Sequence, residues 1–166
     1  MKTLRQHLVN YAAYHRDGRN IATHMVGIPT IVFATATLLS RWTLPLGDGH
    51  WPVSLLFLLG FGAFYLALDL GLGAVMGVLL FGVYHFGLWA AGLPTPLWLA
   101  VGAGGFGVGW VIQFIGHGFE GRKPAFVDDL ASLAVGPLFV VAEVMFWLGL
   151  MPRLRAKIEA QFGAKA

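Results

Sequence analysis

Cysteine is absent from this 166-residue chain, which excludes disulfides, thiolate metal ligands and cysteine nucleophiles. Charge is scarce as well. Asp, Glu, Lys and Arg make up 11% of the residues, against about 25% in an ordinary soluble domain. That shortage excludes disorder, a nucleic-acid-binding surface and a conventional soluble globule. In its place stands apolar material, 57% hydrophobic residues with a mean hydropathy of +0.72. The class so defined is an all-α integral membrane protein, one domain over residues 1–166, with room for about four or five crossings. The first twenty residues are too polar to form the apolar core of a signal peptide.

Charge is thin enough that its gaps outline the helices. Leu4, Leu8, Tyr11 and His15 recur on one face, so residues 1–16 read as an amphipathic helix. It breaks at Asp17-Gly18-Arg19-Asn20, with Asn20 suited to cap the next helix. Residues 21–39 carry no formal charge and are long enough to cross about 30 Å of hydrocarbon. Residues 41–52 read as a loop. From 53 to 116 the one formal charge is Asp69, and breaks at Asp69–Gly73 and Gly92–Pro96 leave spans at 53–69, 73–91 and 97–115. A polar loop follows at 116–129. A fifth apolar segment, 130–150, is interrupted at Gly136-Pro137, and the tail from Pro152 is an amphipathic helix for the headgroup region.

Topology follows from the basic residues, since cytoplasmic loops are enriched in Lys and Arg. With four crossings and a broken fifth segment, the N-terminus, the 116–129 loop and the tail share one side. That side then holds ten of the eleven basic residues, Lys165 among them, and leaves Arg41 opposite. Both termini are therefore expected on the cytoplasmic side, in a bacterial inner membrane or an endoplasmic reticulum.

Of the six histidines, His15, His24 and His117 fall at one membrane level, joined by Glu120 three residues after His117. Imidazole with carboxylate suits iron, zinc or manganese, and ionisable groups at membrane depth are usually functional. The competing account is interfacial histidines bonded to backbone carbonyls. His7 and His50 are expected in solvent and His85 buried between helices. Glu143, an acid in an apolar segment, needs a partner in Arg122, Lys123 or a metal. Gly102-Ala-Gly-Gly-Phe-Gly107 matches the dinucleotide-binding pattern in letters, but lies inside an apolar run where small residues serve helix packing instead.

Two longer signatures carry a family resemblance. The first is Tyr14-His15, Asn20, Thr23-His24 and Ile28-Pro29. The second runs from Trp110 through Gln113, Gly116-His117-Gly-Phe-Glu120-Gly-Arg122-Lys123-Pro-Ala to Asp128-Asp129-Leu130. Pro137-Leu-Phe139 with Glu143, and Leu148-Gly-Leu-Met151-Pro-Arg-Leu154, extend it. The chain resembles the membrane-bound iron(II)-dependent 2-hydroxy fatty acid dioxygenases of fatty acid α-oxidation, a family long catalogued as a domain of unknown function. The resemblance implies that a 2-hydroxy fatty acid is shortened by one carbon with O₂, a step in phytosphingosine breakdown. It implies Fe²⁺ on His15, His24 and His117, with Glu120 as a further ligand or a residue just behind the ligands; Glu120 and Glu143 are the expected catalytic carboxylates. Asn20, Gln113, Arg122 and Lys123 become the expected substrate contacts. Two other readings remain open on the residues alone: another metal-dependent lipid hydroxylase or hydrolase, and a non-enzymatic lipid-binding protein.

Overall fold

A computed structural model describes residues 2–162 of the chain; Lys165 lies outside them. It divides into two compact units, Met1–Met25 with Gln113–Ala166, and Val26–Ile112. In chain order the elements are α1 (Leu4–Ala12), α2 (Gly18–Ser40), a hairpin of β1 (Thr43–Leu46) and β2 (Gly49–Pro52), α3 (Val53–Leu68), α4 (Leu70–Ala91), α5 (Thr95–Leu99), α6 (Gly105–Glu120), α7 (Ser132–Trp147) and α8 (Pro152–Glu159). A π-helical turn, Ala100–Gly104, joins α5 to α6, so that Thr95–Glu120 forms one apolar helix of 26 residues.

Among the described residues three helices are long and apolar enough to cross a bilayer: Gly18–Ser40, Leu70–Ala91 and Thr95–Glu120. The bent pair α7 and α8 adds a fourth if it acts as one span. The expected span at 53–69 is the sixteen-residue α3. At 1.5 Å per residue it reaches about 24 Å, short of a ~30 Å hydrocarbon core.

In the Val26–Ile112 unit, many large apolar side chains are exposed, among them Leu70, Val78, Phe81 and Trp89. Surface of this kind suits lipid as solvent. Asp69 separates α3 from α4 and caps α4, its Oδ1 accepting from Leu72 N at 2.8 Å. α4 packs closely on α3 at Gly73, where a Cβ would lie 2.7 Å from the Leu66 backbone. Gly109 of α6 meets Ile31 of α2 in the same way, whereas Gly77 faces open space. The 41–52 loop is a two-stranded hairpin, because Gly47 supplies the φ of +60° that a two-residue turn needs at its first position.

In the other unit, α1 starts with a capping box: Thr3 Oγ1 accepts from Gln6 N, and Gln6 Oε1 from Thr3 N. It buries Leu4, His7, Leu8, Tyr11 and Ala12 and packs on α7 and α8. His7, expected in solvent, is therefore part of that face. α1 ends at Ala12, so His15 stands in the connection to α2 rather than on the helix. α6 runs on to Glu120, five residues into the expected loop, and stops where Gly121 turns left-handed at φ +65°. α7 is helical through Gly136-Pro137. The chain breaks instead at residues 148–151, where Gly149 and Met151 both have positive φ and α8 departs at 112°.

Candidate metal centre

Three helix ends assemble the site. α1 leads into the turn that carries His15, the first turns of α2 carry Asn20 and His24, and the last turns of α6 carry Gln113, His117 and Glu120. Asn20 and His24 are one turn apart on α2. Gln113, His117 and Glu120 follow at spacings of four and three, one stripe of α6. Asn20 is not the cap of α2: it lies inside the helix with its side chain wholly buried.

His15, His24 and His117 are all buried, and one ring nitrogen of each lies within 4.8 Å of the other two. His15 Nδ1 is 2.7 Å from Tyr11 O, and His24 Nδ1 is 2.9 Å from Asn20 O. A carbonyl can only accept, so both Nδ1 atoms carry the proton and both Nε2 atoms present lone pairs. Those two Nε2 atoms stand 3.1 Å apart. With no proton to share between neutral rings, this arrangement is repulsive unless a cation lies between them. His117 adds a buried Nδ1 without a partner. Orienting a ligand histidine through Nδ1–H to a backbone carbonyl is the usual outer arrangement of a metal site. The donor set therefore fits a metal ion that accepts imidazole nitrogen, such as iron or zinc.

Packing keeps the rings neutral and aimed. Tyr11 stacks on His15 with centroids 4.1 Å apart and an interplanar angle of 6°, and Phe139 of α7 tilts against both rings. Burial lowers the His15 imidazole to a pKa of about 4 and pushes the Tyr11 phenol up. Around physiological pH His15 is uncharged, the form whose ring nitrogen can accept a metal.

Glu120 is not one of the three clustered donors. Its Oε1 accepts from Arg16 N at 2.9 Å; its Oε2 accepts from Asp17 N at 2.9 Å and Asn20 Nδ2 at 3.0 Å. The carboxylate thus clamps the turn that presents His15. Gly116 makes the approach possible: a Cβ there would collide with Thr23 Oγ1 and come within 2.6 Å of Asn20 Oδ1. Neither Gly116 nor Tyr11 was singled out for the site by spacing, though Tyr11 lies four residues before His15 on the expected stripe.

The other expected residues are distributed more widely. Gln113 is buried one turn below His117 with its Nε2 unpartnered. Lys123 is exposed and pairs with Asp128 at 2.5 Å, while Asp128 also accepts from Tyr14. Arg122, also exposed, donates to Ala13 O at 3.1 Å. Glu143, half-buried on α7, lines a small cavity that reaches His15. His85 is exposed on α4 and meets Phe81 edge-on, instead of being buried between helices.

Fold and site define a helical protein of membrane character with a buried histidine trio able to hold a metal ion. The chain belongs to a family described as 2-hydroxy-palmitic acid dioxygenase Mpo1-like, whose model matches residues 1–148. It is similar to the 2-hydroxy-palmitic acid dioxygenase MPO1 of Saccharomyces cerevisiae, with 37% identity over 160 residues, 94% of this chain and 87% of the yeast protein. No solved structure matches it.

Proposed function

We propose that this chain is an iron(II)-dependent dioxygenase that shortens 2-hydroxy fatty acids by one carbon. The observation that carries the reading is the trio itself: three buried imidazoles, two with Nδ1 fixed by carbonyls, converging on one point. Histidine ligation with open positions is how non-haem iron oxygenases leave room for substrate and O₂. Bound iron would supply the activation of O₂ and a Lewis-acidic anchor for the oxygens of a 2-hydroxy acid.

The protein's own residues hold and shield that centre. Tyr11 and Phe139 cover His15 against water, and the Tyr11 carbonyl fixes its tautomer. Glu120 acts as a positioning residue, holding the Arg16-Asp17 backbone so that His15 meets His24. The unpartnered Gln113 Nε2 is a donor suited to a substrate oxygen, one turn from His117. An acyl chain partitions into the bilayer, which accounts for long apolar helices in a chain that carries a polar site. Among the described residues every Lys and Arg except Arg41 falls in the unit that holds α1 and α8, and Arg16 Cζ lies over the Phe162 ring at 4.5 Å. Both features support cytoplasmic termini on a common side.

Metal analysis and oxygen uptake test the reading together. Purified protein is expected to hold about one iron per chain and to consume O₂ with 2-hydroxypalmitic acid, yielding the acid one carbon shorter. His117→Ala should lose both properties, with activity falling by more than the ~10–100-fold typical of outer-sphere changes. Turnover that continues without O₂ would reject the dioxygenase assignment.

A further inference from the structure

An enzyme for 2-hydroxy acids has to recognise a carboxylate near its histidines. Four cations of the site unit are already committed to carboxylates, and Arg5, Arg153 and Lys157 do not line the cavity beside His15. Lys2 pairs with Asp129, Arg19 forks onto Asp17, Lys123 pairs with Asp128, and Arg155 pairs with Glu159 at 2.8 Å. Glu143 acts on Arg155 as well. Arg122 is exposed and turned to the Ala13 carbonyl.

Arg16 combines three features. Among the described residues its guanidinium has no ion pair with a carboxylate, and its Cζ lies over the Phe162 ring at 4.5 Å. Its backbone is immobilised, because Arg16 N donates to Glu120 Oε1. It also lines, together with His15, a cavity of about 50 Å³ walled by Glu143 and Phe146 of α7 and by Arg155, Glu159 and Phe162 of the tail, so that two guanidinium groups and two carboxylates share it. At the ~10–15 Å³ that one water needs, the space takes roughly four waters, comparable to a carboxylate and the carbon beside it. A planar guanidinium held over an aromatic ring can present the fork that grips a carboxylate through two parallel hydrogen bonds.

We propose that Arg16 is the carboxylate-recognising residue of the site. The carboxylate of a 2-hydroxy acid enters the cavity between His15 and α8 and pairs with the Arg16 guanidinium, while Phe146 and Phe162 flank the first carbons of the chain. Arg155, bonded to Glu159, forms the wall, and Arg16 is the cavity's other guanidinium. This assignment rests on the function proposed above, and it gives the head-recognition role expected of Arg122 and Lys123 to a different cation.

Full-length protein in lipid nanodiscs, kept anaerobic to prevent turnover, is titrated with 2-hydroxypalmitic acid and with 1,2-hexadecanediol, which has the hydroxyl but no carboxylate. Arg16→Gln should weaken binding of the acid by roughly 10- to 100-fold, with the diol affinity and the iron content unchanged. Arg16→Lys, which keeps the charge and loses the fork, should fall between Arg16→Gln and wild type. Wild-type affinity for the acid in Arg16→Gln overturns the subsite and leaves the function standing. Equal losses for acid and diol also overturn it, because they mark a structural role. Loss of acid selectivity in Arg122→Gln/Lys123→Gln with Arg16 intact does the same. Failure of the wild type to bind the acid overturns subsite and function together.

Discussion

The Val26–Ile112 unit and the unit formed by the chain's two ends solve the burial of polar groups in opposite ways. In the first, the buried polar side chains are small hydroxyls answered nearby: Thr37 donates to Phe33 O one turn back, and Ser40 to Ser54. In the second, His7, His15, Asn20, His24, Gln113 and His117 are buried. Several of the bonds there join residues about a hundred positions apart, as Glu120 does with Arg16, Asp17 and Asn20. Lipid as solvent demands little beyond helix length and internal backbone pairing. A metal centre demands convergence of side chains from distant segments, each held by a second partner. Changes in the site unit should therefore be expensive where similar changes in the apolar unit are not.

Two glycines of α6 give the widest contrast. Gly116→Ala puts a methyl into Thr23 and Asn20, and should remove metal binding altogether with a stability loss of about 1–3 kcal/mol. Gly107→Ala meets nothing within 4 Å and should leave stability equal or raised by up to about 1 kcal/mol. Iron analysis beside thermal melts checks both, and a tolerated Gly116→Ala would break the comparison.

Acid should act on the site unit through His15. Its folded pKa of about 4 lies below the ordinary 6.5, so under pH 6.5 the unfolded chain takes a proton that the folded chain refuses. Stability of the chelator-treated protein should consequently fall as pH drops from 6.5 towards 4, by about 3 kcal/mol from this residue at 1.36 kcal/mol per unit. Denaturation series at several pH values should show a shallower slope in His15→Gln. Glu120→Gln comes next: the clamp on Arg16 and Asp17 weakens, and metal affinity should drop ~10–100-fold, measurable by competition with a chelator. Lys123→Ala has the smallest effect. Its ion pair with Asp128 is exposed, so stability should change by less than about 1 kcal/mol with turnover unaltered.

Helix positions were largely legible because charge is so sparse: Asp69 and Gly92–Pro96 mark real breaks, and the dinucleotide-like glycines lie in a membrane-length helix. Other boundaries moved for identifiable reasons. Gly121 rather than Gly116 ends α6, since the left-handed turn is what stops the helix. Gly136-Pro137 lies within α7, and two positive-φ residues after Trp147 make the bend instead. The hairpin at 43–52 depended on one turn glycine in a stretch that otherwise reads as loop.

The sequence by itself determined the solvent this protein is built for, the approximate positions of its long helices and the three histidines worth watching, because composition and spacing are local properties. Tertiary structure decided the rest. Whether Nε2 of His15 faces Nε2 of His24 depends on which carbonyl each Nδ1 finds. The role of Glu120 depends on a turn more than a hundred residues earlier in the chain. And which cation remains free for an anion is known after every carboxylate has been paired, a count that can be made in space and not along the chain.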